Sequence, residues 1–293
     1  MTDAPDPPPE PEAGPEPAPE STLGPPVAPQ SSAWDRTPVA RRPLGVIGAL
    51  VVLVLWIAVS SLGLFPRELG PIGIAPVPQA LSVAFLLLCL LVFRWPDTGL
   101  GLPRPGSGRA LWFAWVCLLC FAALVIWLGP PPLVQIIGIF ALMFWIAISE
   151  ELMFRSLLFP ALRRRMRIWP AMLLTSLIFG VIHLGNGFES GNVGAAAVQS
   201  AAAVVTGLLL LALRLRSGSI WPPVVFHLLW NCCALSLQLP AVPPGIPDKT
   251  IPPDPSSLLF VSLLLVLPNG LYALWLLRHA GRRDLPGDIP GAP

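Results

Sequence analysis

The chain has 293 residues, 54% hydrophobic and only 12% charged, with a formal net charge of +2. A soluble domain carries about 25% charged residues, so the composition excludes an ordinary soluble protein. It predicts an all-α, polytopic membrane helix bundle whose surroundings are the lipid bilayer, with no nucleic-acid partner.

Residues 1–40 are rich in Pro, Glu and Ala, as in Pro7-Pro8-Pro9-Glu10-Pro11-Glu12, and hold one basic residue, Arg36. Such a segment buries too little apolar surface to offset its chain entropy, so a disordered cytoplasmic tail is expected over 1–40. Residues 41–283 read as the transmembrane domain, and 284–293 as a flexible C-terminal tail. Crossing a bilayer takes about 20 apolar residues, and on that basis about eight spans follow in order. They run over Leu44–Phe65, Pro78–Phe93, Leu111–Leu128, Leu133 to the Arg163-Arg164-Arg165 cluster, Ile168–Leu184, Val193–Leu213, Trp221–Leu239 and Leu258–Leu277. With the N-terminus inside, 15 of the 18 basic residues fall on the cytoplasmic side, and only Arg67 and Lys249 on the other. That asymmetry is the positive-inside pattern, and it predicts a multi-pass cell-membrane protein with both termini cytoplasmic. Trp95, Trp169 and Trp221 near span ends read as interfacial anchors. The small residues of the sixth span, Gly194 to Ala197, Ser200 to Ala203 and Gly207, read as a close-packing face. Arg214 to Ser219 reads as a basic cytoplasmic turn. The five cysteines lie in apolar runs and read as small hydrophobes; the spacing Cys117-Leu-Leu-Cys120 has neither a βαβ context nor a second pair to complete a zinc set.

Inside these spans ionisable residues are few: Glu150, Glu151, Arg155, His183 and His227, with Asn231 as the nearby amide. A charge in the bilayer interior costs about 2.5–3.5 kcal/mol on insertion scales, so each needs a reason. Arg155 follows Glu151 by four residues, on one helical face and in the favoured acid-before-base order. An ion pair there would hold Glu151 ionised and fixed, leaving Glu150 free to take a proton or meet a ligand. Phe179 and His183 share a face by the same spacing, as do His227 and Asn231. Alone, either histidine reads as interhelical glue. Together, Glu, His, His and Asn form a set able to activate water and stabilise an oxyanion. Glu150, His183 and His227 also form a ligand set for a divalent metal such as zinc.

The patterns Glu150-Glu151-x-x-x-Arg155, Phe179-x-x-x-His183 and His227-x-x-x-Asn231 resemble the three motifs of the CPBP (Abi) family of intramembrane proteases. That family includes the type II CAAX prenyl proteases and bacteriocin-processing proteins. The likeness spans about 133–239 and includes Gly218-Ser219-Ile220-Trp221; one departure is Ser156, where the family commonly has glycine. The resemblance implies intramembrane hydrolysis of a peptide bond in a membrane-associated peptide or protein substrate. Glu150 would be the general base, His183 would hold the water directly or through a metal, and His227 and Asn231 would stabilise the oxyanion. Arg155 would fix Glu151, and Phe179 would contribute to substrate binding. Metal and metal-free chemistry both stay open. The alternatives are a non-catalytic interaction or immunity protein, and a proton-coupled transporter. No HExxH or G-x-S-G run and no Asp within a span supports other intramembrane proteases. One expectation strains the reading: by helical rise, the span ends set His227 near the cytoplasmic end and His183 near the opposite one, yet a shared site needs equal depths.

Overall fold

The computed structural model describes residues 44–61, 77–238, 255–281 and 285–289. The expected tail over 1–40 lies outside these residues, as do Arg67 and Lys249. In an apolar solvent each backbone N–H and C=O must be satisfied within its own segment, and these apolar runs accordingly form helices. They are α1 (Val46–Ser61), α2 (Val77–Val92), α3 (Trp112–Leu128), α4 (Leu133–Glu151), α5 (Phe159–Arg163), α6 (Ile168–Ile182), α7 (Asn186–Ser190), α8 (Val193–Ser217), α9 (Trp221–Gln238) and α10 (Pro255–Leu277). A seven-residue π-helix, Leu152–Leu158, joins α4 to α5 without a break. No strand occurs among the described residues, so the all-α expectation is met. Among the described residues, three rods are long and apolar enough to cross a membrane: Leu133–Arg163, Ile168–Phe188 and Val193–Ser217. Five shorter apolar helices surround them. Outward-facing side chains such as Ile47, Leu91, Trp127 and Leu133 are mostly uncovered, as suits a lipid-facing rim.

The core is built around the second half of α8, where Leu209 to Leu213 and Leu215 are all 0% exposed. Helices α6, α9 and α10 pack on it. The small-residue face of α8 does what its composition suggests. A Cβ on Gly180 of α6 would lie 2.3 Å from Val204 Cγ2 and 2.7 Å from the Ser200 carbonyl oxygen. A Cβ on Gly207 of α8 would lie 3.1 Å from the Phe179 ring and 3.3 Å from Ser176 Cα. Backbones approach this closely only across glycine.

The arginine-rich end of the bundle differs from the sequence reading. Arg214 is 4% exposed, and Ser217 and Ser219 are 0%, so the expected basic turn between α8 and α9 is not at the surface. Two segments cover it. The α2–α3 connector crosses over it, with the Arg104 N–H donating to the Ser217 carbonyl at 2.9 Å and Asp97 paired with Arg164 at 2.8 Å. Residues 285–289, expected within a flexible tail, pack from the other side. The Gly287 N–H donates to the Leu215 carbonyl at 2.8 Å, and Asp288 takes both forks of Arg163, at 2.8 and 3.1 Å. Trp95 is buried at 5% exposure rather than standing at an interface, whereas Trp221 is 39% exposed.

Candidate active site

Helix α4 delivers Glu150 and Glu151 at its last turn, and the π-helix begins at the next residue. A π turn widens the helix and is common at functional sites. All seven residues of this one are buried, Arg155 among them at 0% exposure. From α1, the Trp56 indole N–H donates to Ser149 Oγ at 2.7 Å, and its ring meets Phe154 edge-on at 5.9 Å. The residue directly before the glutamate pair is thereby held from outside the motif segment.

The expected Glu151–Arg155 pair is present, with Arg155 Nη1 3.1 Å from Glu151 Oε1 and both side chains fully buried. The contact is an ion pair whose N–H is poorly aligned for a hydrogen bond. Arg155 also donates through Nη2 to the Gly207 carbonyl at 3.2 Å and stacks 4.5 Å from the Phe179 ring centroid. A carboxylate, a carbonyl and an aromatic face together offset the cost of burying the guanidinium. The same Glu151 Oε1 accepts from His227 Nδ1 at 2.9 Å. Glu151 thus does more than the sequence suggested: besides holding Arg155, it fixes which ring nitrogen of His227 carries a proton and where the ring points.

Glu150 faces the other nitrogen, with Oε2 3.6 Å from His227 Nε2 and the side chain 14% exposed. That separation is too long for a hydrogen bond, and Oε2 has no hydrogen-bond partner in the structure. With Nδ1–H committed to Glu151, an Nε2 lone pair and a carboxylate oxygen would confront each other across this gap. A proton on either group, or a water donating to both, resolves the confrontation.

His183 ends α6 and opens a short 3-10 turn, His183–Gly185. Its Nδ1 lies 2.8 Å from the Phe179 carbonyl oxygen; as the donor there, it leaves Nε2 as an acceptor. The Phe179 ring joins the parts, with centroid distances of 5.0 Å to His183, 5.9 Å to His227 and 5.0 Å to Phe154. Phe179 itself is 1% exposed. The substrate contact read from sequence is replaced in this conformation by a buried platform under both histidines. Asn231 lies one turn after His227 and is half-buried.

The depth problem is resolved at the covered turn. From Glu151 to Arg163 the rod rises at most about 18 Å, while Trp221 to His227 spans about 9 Å. The Glu151–His227 hydrogen bond therefore requires α9 to start well inside the level of Arg163. Burial of Ser217 and Ser219 is the visible sign of that recess.

Sequence reasoning missed four positioning contacts: Trp56 on Ser149, Glu151 on His227, the Gly207 carbonyl on Arg155, and Ser156. Ser156 Oγ donates to the Thr98 carbonyl at 2.7 Å, which a glycine at that position could not do. Only the Glu151–His227 contact had a signal, since both are ionisable groups inside spans.

For a divalent metal, Glu150 and His227 face each other as two donors, but no group of three His, Cys, Asp or Glu able to hold a metal ion occurs among the described residues. His183 makes no ion pair with either glutamate among them. Among the described residues the set Glu150, His183 and His227 is therefore not arranged as a metal centre.

Compared with known families, residues 130–233 fit the model for type II CAAX prenyl endopeptidase Rce1-like proteins. No curated relative and no solved structure matches the chain. The matched stretch runs from the turn before α4 to the middle of α9 and contains Glu150, Glu151, Arg155, Phe179, His183, His227 and Asn231. Over this segment, which holds the whole polar cluster, the chain is similar to the type II CAAX prenyl endopeptidase family.

Proposed function

We propose that the protein is an intramembrane endopeptidase that hydrolyses a peptide bond of a membrane-associated substrate with water activated by Glu150. The observation that carries this reading is the Glu150–His227 gap of 3.6 Å, walled by a carboxylate without a hydrogen-bond partner and a histidine oriented by a second carboxylate. The attacking water sits against Glu150 Oε2 at the mouth of that gap, gives its proton to Glu150, and attacks the scissile carbonyl. His183 Nε2 accepts the other O–H and so aims the lone pair. As negative charge builds on the carbonyl oxygen, Asn231 and a His227 protonated at both nitrogens donate to it. Glu151 holds the Nδ1 end of that ring throughout, and Glu150 passes its proton to the leaving amine. Arg155 acts only through Glu151 and is a positioning residue. Within the bilayer the arginine-rich end faces the cytoplasm, the chain crosses eight times, and both termini lie inside.

The test uses purified full-length protein in nanodiscs. The probes are internally quenched peptides, one ending in a prenylated cysteine motif and one a plain transmembrane segment. The wild type cleaves at least one. Glu150→Ala and His183→Ala each lower kcat by about 10²-fold or more, the range for a lost general base or its partner. Failure of the wild type to cleave either, or undiminished cleavage by both variants, overturns the reading.

A further inference from the structure

The α2–α3 connector carries a pattern that no motif records. Six consecutive backbone carbonyls, from Pro96 to Gly101, each accept a hydrogen bond from a different donor. Arg164 Nη2 donates to Pro96 at 3.4 Å, Arg214 Nη2 to Asp97 at 3.0 Å, and Ser156 Oγ to Thr98 at 2.7 Å. The Ile220 N–H donates to Gly99 at 2.8 Å, Trp221 Nε1 to Leu100 at 2.9 Å, and Ser219 Oγ to Gly101 at 2.6 Å.

The donors come from two places only. Ser156 lies in the rod that carries the glutamates and Arg155, and Arg164 directly follows it; Arg214 and Ser219 to Trp221 belong to the end of α8, the turn after it and the start of α9, which carries His227. These two rods must be in register for Glu150 to face His227. The connector's own shape is locked. Asp97 and Gly99 have φ of 60° and 70°, and a Cβ on Gly99 would lie 2.3 Å from Arg214 Cζ, so this close approach requires glycine there. Ser156 and Ser219 are 0% exposed, and Ser156 adjoins Arg155 in sequence.

We propose that the strap Pro96–Gly101 is a positioning element for the active site, which sets the depth of α9 and so the Glu150–His227 gap, with Ser156 and Ser219 as its two buried hydroxyl attachments. The proposal rests on the endopeptidase reading for its kinetic arm alone. Neither serine is placed on substrate or on the reacting atoms; each works through the rod it anchors. A displacement of about 1 Å at a catalytic pair can cost about 10²-fold in rate, so a loosened strap acts on turnover.

The test compares wild type with Ser156→Ala, Ser219→Ala, the double variant and the conservative Ser156→Thr, as full-length protein in nanodiscs. Kinetics are read on the peptide that the wild type cleaves. Each alanine variant lowers kcat about tenfold or more with KM nearly unchanged, and Ser156→Thr restores most of it. Hydrogen exchange at the Ile220 amide speeds up in the alanine variants, and the low-field NMR signal of the His227 Nδ1–H bound to Glu151 shifts or broadens. The proposal is overturned if Ile220 exchange rises while kcat and the His227 signal stay put. It is equally overturned if kcat and thermal stability fall together and threonine rescues no better than alanine. An inactive wild type refutes the endopeptidase reading, and the His227 signal then decides the strap alone: unchanged in the double variant, it overturns the proposal.

Discussion

The two adjacent glutamates are separated by replacing each with glutamine. Glu151 neutralises a fully buried arginine, with side-chain exposures of 1% and 0%. In Glu151→Gln the guanidinium keeps its bond to the Gly207 carbonyl and its seat on Phe179 but loses its counter-charge. Breaking a buried ion pair from one side costs about 3–5 kcal/mol. At about 2–4 °C per kcal/mol for a domain of this size, Tm falls by about 6–20 °C. Glu150 makes no ion pair with an arginine among the described residues and is partly open. Its amide replaces an oxygen that has no hydrogen-bond partner, so Glu150→Gln costs less than about 1 kcal/mol while activity drops about 10²-fold or more. Removing both members of the pair, as Glu151→Gln with Arg155→Gln, leaves no orphaned charge and recovers part of the loss. The assay is thermal unfolding in nanodiscs alongside peptide cleavage. Equal destabilisation by the two single glutamine variants, or a double variant no more stable than Glu151→Gln, refutes the division of roles.

Three further outcomes are expected. Gly180→Ala forces a methyl against Val204 and the Ser200 backbone carbonyl; because backbone cannot give as a side chain can, it costs about 1–3 kcal/mol by thermal unfolding. Trp56→Phe keeps the ring on Phe154 but leaves Ser149 Oγ without its donor, lowering stability by about 0.5–1.5 kcal/mol; cleavage kinetics show whether the glutamates move with it. Cleavage persists in excess chelator, because Glu150 and His227 have no third donor among the described residues; full loss with recovery on adding zinc shows that a metal organises the site.

The sequence made some of this visible because local spacing decides it. Glu151 and Arg155 pair as the i, i+4 rule requires, and His183 and Phe179 share a face because they are one turn apart. The depth of His227 was hidden, since hydropathy counts Arg214 and Arg216 as a surface turn. What buries that turn is glycine at positions 99 and 287, where a Cβ would strike Arg214; glycine carries no hydropathy signal. The π-helix at Leu152–Leu158 was equally hidden. Its residues are ordinary helix formers, and tertiary packing from Trp56, Thr98 and Gly207 accompanies the wider turn. Phe179 looked like a substrate contact because it sits in a motif, yet its ring is enclosed by Arg155, Phe154 and the two histidines.

The strap also imposes an order on biosynthesis. Its carbonyls leave the ribosome with residues 96–101, more than fifty residues before their first donor and more than a hundred before Ile220 and Trp221. Until then these carbonyls need water, which holds the connector at the membrane surface while later helices insert. It can sink onto the bundle only when the start of α9 arrives, and the 285–289 segment, made later still, closes over Arg214 from the other side. The site therefore matures only after α9 is made, and a nascent chain stalled before α9 would hold the glutamates without the histidine that Glu151 orients.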